Sequence, residues 1–323
     1  MHMPSKGMRT MKKLNIVFMG TPDFSVPVLE GLIENYQVVL VVTQPDKEVG
    51  RHHVLTAPPV KKKAEEFGIP VFQPVKIKED YQMILDLHLD LIVTCAYGQI
   101  IPDAVLECAT YGAINVHASL LPKLRGGAPI HHAILDHYPK TGVTIMYMVS
   151  KMDAGDILSQ EETVITKEDT LGSLHDRLSQ MGRDLLLKTI PDLVAGNIVP
   201  IKQDESEVTY GYNIKREEER IRWEEESTLE IFDHIRGLNP HPGAYTTLDG
   251  TVVKLFASVI SDSFFTSRSN GEISRIYKDG IGVCTKDGEI IITELQVAGK
   301  KRMSVKEYFN GVDEDQLIGK KFV

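Results

Sequence analysis

Three polar side chains have the types and spacing that acyl transfer requires. Asn115 and His117 alternate along the chain, so a β-strand at this point would present both on one face. An amide donor and an imidazole held side by side can polarise a carbonyl group and stabilise the oxyanion that forms when an amine adds to it. Asp153 lies in a glycine-containing turn, 151–156, from which its carboxylate could hold the imidazole in one tautomer or protonated state. The three residues therefore predict a centre that transfers an acyl group to an amine.

A purely structural interpretation of these residues is equally open at this point. Asn115 and His117 also fit hydrogen-bonded polar residues at the end of a strand, and Asp153 fits a turn former before Gly155. An Asn-x-His pair occurs freely by chance, so its spacing does not choose between the two interpretations.

The surrounding elements predict an α/β fold. From residue 14 to about 150, short apolar runs alternate with helical patterns, which is typical of βαβ units around a parallel sheet. The predicted strands are 14–19, 38–43, 71–73, 90–96, 113–117 and 143–148. The predicted helices are 25–34, 58–67, 80–88, 128–137 and a longer one from an N-cap at Asp169 to about Gly196. This pattern predicts a doubly wound, Rossmann-like domain with Asn115 and His117 at the carboxyl edge of its sheet, where such sheets bind ligands.

A second, smaller domain is predicted after a polar linker at 198–217. Ser227 and Glu230 form a capping box that opens a helix. Asp-Gly pairs beginning at 249, 279 and 287 then separate strand-like runs at 251–260, 272–277, 281–285 and 289–297. A meander of this size predicts a small closed or half-open β-barrel, and an oligonucleotide-binding (OB-like) barrel is one candidate.

The predicted organisation is thus a first domain at 11–197, the linker, and a second domain at 218–323. Residues 1–10 show no periodicity, and we interpret them as a leader or a tag remnant. The boundaries rest on the change from alternating apolar patterns to polar sequence and back.

Composition favours a soluble protein of the cytoplasm; we also expect a monomer, although composition does not bear on the oligomeric state. Hydrophobic residues make up 42% and charged residues 25% of the chain, and no run approaches the roughly 18 apolar residues needed to cross a bilayer. Three cysteines, Cys95, Cys108 and Cys284, lie far apart in apolar stretches, which fits reduced core thiols. The net charge of −9 argues against a wholly basic surface that binds nucleic acid, although short basic runs remain.

The sequence lacks the motifs of several common enzyme classes. Where a dinucleotide-binding fold carries G-x-G-x-x-G after its first strand, this chain has Gly20-Thr21-Pro22-Asp23-Phe24, which disfavours nicotinamide binding. The sequence contains no P-loop, no H-E-x-x-H and no G-x-S-x-G. Phosphoryl transfer, zinc proteolysis and serine hydrolysis therefore have no basis in the sequence.

Longer segments resemble the folate-dependent formyltransferase family across residues 12–323. The segments that carry the resemblance are 18–24 (FMGTPDF), 43–46 (TQPD), 96–98 (AYG), 115–122 (NVHASLLP), 125–130 (RGGAPI), 141–144 (TGVT), 221–223 (IRW), 239–240 (NP) and 298–303 (AGKKRM). The resemblance implies 10-formyltetrahydrofolate as formyl donor and the α-amino group of methionyl-initiator tRNA as acceptor, for translation initiation. It also implies that the first domain is catalytic and that the second binds tRNA.

The resemblance assigns roles to particular positions. It makes Asn115, His117 and Asp153 the catalytic residues. It implies that tetrahydrofolate is bound by Ser119, Leu120, Leu121, Pro122, Ala96, Tyr97 and Gly98. Because the donor already carries an activated formyl group, we expect no metal and no bound cofactor.

For tRNA, the resemblance points to the loop at 46–55 and to the basic turn at 300–302. At the place of the 46–55 loop, members of the family insert a basic loop against the acceptor stem. Arg51 matches the key arginine of that loop. His52 and His53 stand where more basic residues are usual, which weakens the expected phosphate contacts. The predicted tRNA-binding residues are Arg51, Lys300, Lys301 and Arg302.

Two alternatives share these features. A related enzyme could formylate a small amine, such as an amino-sugar nucleotide or glycinamide ribonucleotide, with the same trio; the 43–55 loop and the 300–302 turn suit a long polyanion better. A folate-sensing or tRNA-binding module could keep the fold without turnover, but the intact trio argues against that loss.

Overall fold

The computed structural model describes residues 13–50, 53–263 and 268–323. The interpretation of residues 1–10 as a leader or tag remnant lies outside this range. Contacts divide the chain into two compact units. Of the described residues, those up to 117, 143–161 and 179–203 form the first unit, and those of 118–142, 162–178 and 204–323 form the second. The predicted domain boundaries near 197 and 218 stay a prediction.

A seven-stranded sheet confirms the α/β prediction. In chain order the first nine strands are β1 Asn15–Gly20, β2 Gln37–Val42, β3 Lys47–Val49, β4 Val54–Thr56, β5 Val71–Phe72, β6 Leu91–Cys95, β7 Ala113–His117, β8 Lys140–Tyr147 and β9 Ile157–Val164. The sheet order is β5-β2-β1-β6-β7-β8-β9, and β3 and β4 form a separate hairpin. Strands β5, β2, β1, β6 and β7 are parallel, and β8 runs antiparallel to β7. Strands β6 and β7 are buried along their whole length, which explains their apolar sequences.

In the described part of the chain, five α-helices lie between these strands and a sixth follows β9. They are α1 Val26–Asn35, α2 Pro59–Glu66, α3 Gln82–Leu85, α4 Asp103–Leu106, α5 Pro129–Leu135 and α6 Leu171–Ala195. The helix predicted at 58–67 is present as α2, and Gly68, just beyond its end, has a φ of +65°, as is common after a helix C-terminus. The predicted N-cap of α6 was wrong by one residue: Thr170 Oγ1 accepts the Ser173 N–H at 3.2 Å, whereas Asp169 binds the Arg177 guanidinium. No helix within the described ranges combines the length and apolarity needed to cross a membrane.

The second unit contains an antiparallel sheet with a covering helix. Its elements are α7 Thr228–Gly237, β10 Ala244–Leu248, β11 Thr251–Ser261, β12 Ile273–Tyr277, β13 Gly280–Cys284, β14 Glu289–Val297, β15 Met303–Ser304 and α8 Val305–Phe309. The capping box is confirmed, since the Ser227 N–H donates to Glu230 Oε2 at 2.6 Å and the Glu230 N–H donates to Ser227 Oγ at 3.3 Å. The Asp-Gly pairs at 249 and 287 lie between strands, as predicted, and the pair at 279 closes the turn after β12, with Gly280 as the first residue of β13. Trp223, Ile231 and Leu255 belong to the core beneath the sheet.

The chain from 319 to 323 makes this sheet barrel-like. The sheet follows the order β10-β11-β14-β13-β12, with β15 beside β14. Phe322 forms a bridge with Leu248 at the end of β10, and Lys321 forms a bridge with Glu272 next to β12. Both edges of the meander therefore pair with the same short segment, which agrees with the predicted half-open barrel.

The cysteines agree with the prediction of unpaired thiols. Cys95, Cys108 and Cys284 are all free. Burial raises the pKa of the Cys95 thiol to about 12, so this side chain is an inert part of the core.

Candidate active site

The sheet places Asn115 and His117 where the sequence predicted them. His117 is the last residue of β7, and Asn115 lies two positions before it, so both side chains leave the same face of the strand. They are nearly buried, with 9% of Asn115 and 6% of His117 exposed. The carboxyl ends of β1, β6 and β7 lie side by side here, which is the ligand-binding edge of open α/β sheets.

A threonine that the sequence interpretation missed orients the amide of Asn115. Thr94 is paired with Asn115 across β6 and β7, and its Oγ1 donates to Asn115 Oδ1 at 2.7 Å. With Oδ1 engaged as an acceptor, the Nδ2 group of Asn115 is left to donate to a substrate. Thr94 is the polar residue of the otherwise apolar run Leu91–Cys95, which is the one signal that could have identified it.

Asp153 is close to His117, although it comes from a distant turn. His117 Nδ1 and Asp153 Oδ1 are 3.8 Å apart, and the two side chains are 7% and 16% exposed. At this separation in a nearly buried site, the carboxylate attracts a protonated imidazole. The structure thus brings the three predicted catalytic side chains together.

The turn that carries Asp153 is tightly constrained. Asp153 has a φ of +49°, a left-handed conformation that is sparsely populated by residues other than glycine. A Cβ atom on Gly155 would lie 1.8 Å from the carbonyl oxygen of Tyr147, so only glycine fits there. Gln203 Nε2 donates to the backbone oxygens of Asp153 and Gly155, both at 2.8 Å. Gln203 therefore fixes the turn, a role that its sequence position in the predicted linker did not reveal.

Gln203→Ala should lower kcat about 10-fold while the KM values of both substrates stay near those of the wild type. Without the two hydrogen bonds from the Gln203 side chain, the strained turn can relax and the Asp153 carboxylate moves away from the imidazole. Small displacements of catalytic groups lower the rate of the chemical step strongly. Steady-state kinetics measures the effect, with the exposed neighbour changed in Lys202→Ala as control. A loss confined to KM, or an equal loss in the control, would contradict this positioning role.

The loop predicted to bind tetrahydrofolate follows β7 directly. Ser119 is 1% exposed, and its Oγ donates to the backbone oxygen of Lys123 at 2.6 Å, which closes the loop on itself. Leu121 is buried and is joined to Pro122 by a cis peptide bond. Leu120 and Pro122 are half-buried, so they keep surface that a ligand can contact.

The second predicted folate segment, 96–98, is held by its backbone. Ala96 and Gly98 have φ values of +47° and +89°. Thr21 Oγ1 and Gln44 Nε2 donate to the Tyr97 carbonyl at 2.9 and 3.2 Å. The Tyr97 ring belongs to the apolar core, and burial raises the pKa of its hydroxyl to about 12. Ala96 and Gly98 are exposed, so these two residues are the accessible part of the segment.

The predicted tRNA loop is mostly the β3–β4 hairpin. Arg51 and His52 lie outside the described residues. His53 Nδ1 is 2.9 Å from Glu48 Oε2. At the base of the hairpin, Gln73 and Lys61 donate to Asp46 at 2.7 and 2.9 Å, and these hydrogen bonds lower the pKa of the carboxyl group.

The basic turn at 300–302 contains one engaged and two exposed cations. Arg302 makes a bidentate ion pair with Glu294 at 2.7 and 2.6 Å, and its guanidinium lies 4.2 Å from the centre of the Phe256 ring. Lys300 and Lys301 are exposed. The lysines are therefore better placed than Arg302 to meet a phosphate.

Comparison with known proteins shows which families and proteins this chain is similar to. Residues 12–190 match the family model described as formyl transferase, and residues 213–313 match the formyl transferase C-terminal domain. A methionyl-tRNA formyltransferase from Geobacillus sp. (strain WCH70) is 55% identical over 312 residues, which cover 95% of this chain and 98% of that protein. Another, from Bacillus cytotoxicus, is 57% identical over 302 residues, or 92% of this chain and 96% of that protein.

Solved structures with lower identity share the fold. A variant of HypX from Aquifex aeolicus has a TM-score of 0.66 at 18% identity over 94% of this chain, which spans 50% of the HypX chain. An N-formyltransferase from Helicobacter canadensis, in complex with folinic acid and dTDP-3-aminofucose, has a TM-score of 0.65 at 19% identity, covering 86% of this chain and 98% of that chain. The same arrangement of strands and helices therefore occurs in proteins of divergent sequence.

Proposed function

Because the chain belongs to the formyl transferase family, and within it to the methionyl-tRNA formyltransferases, we propose that it transfers the formyl group of 10-formyltetrahydrofolate to the α-amino group of methionyl-initiator tRNA. This reaction prepares the initiator tRNA for translation. The observation that carries the proposal is the convergence of an amide, an imidazole and a carboxylate at the carboxyl edge of the sheet.

The chemistry follows from these three groups. The neutral amine attacks the formyl carbon, and the carbonyl oxygen becomes an oxyanion. The Asn115 amide and a protonated His117 stabilise that oxyanion, while the Asp153 carboxylate stabilises the imidazolium. When the intermediate collapses, the bond to the folate nitrogen breaks; the amine nitrogen has lost one proton and the departing folate nitrogen has gained one.

The donor makes an additional reactive group unnecessary. Its formyl group is already activated by attachment to the folate nitrogen, so the proposed reaction uses the folate as a co-substrate without a metal or bound cofactor. We assign folate binding to the loop 119–122 and to the backbone of 96–98, which lead away from β7 and β6 at the ligand-binding edge.

An acceptor assay tests the function. The enzyme is incubated with 10-formyltetrahydrofolate and either methionyl-initiator tRNA, a charged elongator tRNA, an amino-sugar nucleotide or glycinamide ribonucleotide. We expect transfer to the methionyl-initiator tRNA. Transfer to a small amine with none to this tRNA would replace the proposal with the related small-substrate activity.

Arg51→Ala should weaken tRNA binding and lower its salt dependence. We propose that Arg51, Lys300 and Lys301 contact tRNA phosphates, and each lost phosphate contact reduces the slope of log Kd against log salt by about 1. Binding titrations at several salt concentrations measure the slope, with the exposed Lys62→Ala on α2 as control. An unchanged slope for Arg51→Ala would show that the loop does not touch phosphates.

We also propose that the enzyme acts as a monomer in the cytoplasm. All three proposed catalytic residues come from one chain, so the site needs no second copy, and the free cysteines suit a reducing compartment. Light scattering that gives the mass of two chains at working concentration would overturn the monomer.

A further inference from the structure

The segment predicted as a linker is fixed to the loop that follows β7. The Arg125 N–H donates to the Thr209 carbonyl at 2.9 Å, and the Gly211 N–H donates to the Arg125 carbonyl at 2.8 Å. The Ala128 N–H in turn donates to the Gly211 carbonyl at 2.9 Å. Residues 209–211 therefore pair like a strand with 125–128 instead of crossing the surface freely.

Glycines let the two backbones approach closely. A Cβ atom on Gly126 would lie 2.8 Å from the Gly211 carbonyl oxygen, and one on Gly127 would lie 2.3 Å from Asn213 Oδ1. The buried Arg125 side chain adds an ion pair with Glu205 at 2.9 Å. The position of the segment is thus determined by backbone pairing, close packing and a charge contact together.

On this fixed backbone stand two exposed tyrosines, Tyr210 and Tyr212, which we call the tyrosine pair. Their ring centres are 5.2 Å apart and their planes differ by 2°. Tyr210 is 41% exposed and Tyr212 is 59% exposed. Two parallel rings with accessible surface on a rigid strand form a preorganised stacking surface, since little conformational entropy is lost when a flat partner binds.

We propose that the tyrosine pair stacks with bases of the single-stranded 3′ end of the acceptor tRNA, an inference that rests on the proposed function. Every base has a π-face, so aromatic side chains bind single strands without reading their sequence. The loop to which the tyrosine pair is fixed follows His117 in the chain, and the 3′ end is the single-stranded part of the tRNA that carries the reacting amine. A single strand with unpaired bases is thus the partner that two exposed, stacked rings fit.

Charge supports contact with bases over contact with phosphates. The segment before the tyrosine pair is acidic, and the acidic side chains Glu205 and Glu207 are paired with Arg125 and Lys123 at 2.9 and 2.7 Å. The charges of Lys123 and Arg125 are thus already balanced by carboxylates, which weakens their attraction for a phosphate. The rings offer stacking, which does not depend on these charges.

Fluorescence of a modified tRNA tests the inference. 2-Aminopurine, which loses fluorescence on stacking, replaces one base in the single-stranded 3′ end of initiator tRNA, and the enzyme is titrated into it. We expect quenching with the wild type and with Tyr212→Phe, which keeps the ring. We expect weaker quenching and about 5-fold to 10-fold higher Kd for Tyr212→Leu and for the double change Tyr210→Leu/Tyr212→Leu. Phe67→Leu, at an exposed aromatic residue just after α2, is the matched control.

A tRNA that lacks the single-stranded 3′ nucleotides separates stacking from a structural effect. It should bind the wild type and both leucine variants equally. An equal loss of affinity for intact and shortened tRNA, or normal quenching in the double variant, would overturn the inference. Wild-type enzyme is assayed for formyl transfer in parallel: its failure would reject the proposed function, whereas an active wild type with unaffected variants rejects only the tyrosine pair.

Discussion

His117→Ala and Asp153→Asn should each lower kcat by about 100-fold or more while the affinity for tRNA stays nearly unchanged. In the proposed mechanism His117 supplies the cation that stabilises the oxyanion. Asp153, which lies 3.8 Å from the imidazole, supplies the negative charge that stabilises that cation. Single-turnover kinetics with prebound methionyl-tRNA measures the chemical step apart from binding.

The double variant His117→Ala/Asp153→Asn makes this prediction sharper. If Asp153 acts through His117, its loss should cost little once the imidazole is gone, so the two effects should be far from additive. Thermal unfolding of each variant controls for misfolding. Near-normal rates in both single variants would remove the pair from the mechanism, and fully additive effects would mean that Asp153 acts independently of His117.

Asn115→Ala should lower kcat by about 100-fold, because it removes the amide that we propose donates to the oxyanion. Thr94 provides a finer test of the same group. Thr94→Val keeps the shape but removes the hydroxyl that holds Asn115 Oδ1 at 2.7 Å, so we expect a smaller loss of about 10-fold in kcat.

Thr94→Ser is the matched control, since it retains the hydroxyl. Its activity should stay close to that of the wild type. If Thr94→Val is as active as Thr94→Ser, the hydroxyl does not orient the amide, and the role of Thr94 is limited to packing in β6.

The site residues differ in how far the sequence could predict them. Asn115 and His117 follow from local alternation on one strand and from the rule that open α/β sheets bind ligands at the carboxyl edge. Thr94 and Gln203 could not be inferred in this way. Their roles depend on strand register and on a contact between residues about 50 positions apart, which no local pattern encodes.

Where local patterns predicted the wrong element, tertiary contacts explain the difference. The helix predicted at 80–88 is restricted to α3, four residues long. The Asn15 side chain donates to the His88 carbonyl at 3.2 Å, and the Asn15 N–H donates to Asp90 Oδ2 at 2.8 Å. These contacts with β1 favour an extended approach to β6 over continuation of the helix.

The structure of the predicted linker also depends on tertiary contacts that a local sequence pattern cannot predict. Its polar composition is typical of a surface connection. The backbone bonds between 209–211 and 125–128 depend on a distant glycine-rich loop, so composition alone could not reveal them.

The segment 319–323 has a consequence for how the protein can be altered. It covers hydrogen-bonding groups beside β10 and β12 at once, with the Thr247 and Val323 backbones exchanging bonds of 2.9 and 3.0 Å. A shortened chain without these five residues would present two bare strand edges, which are templates for joining other copies. Trimming this end should therefore cause self-association before it affects the chemistry at His117.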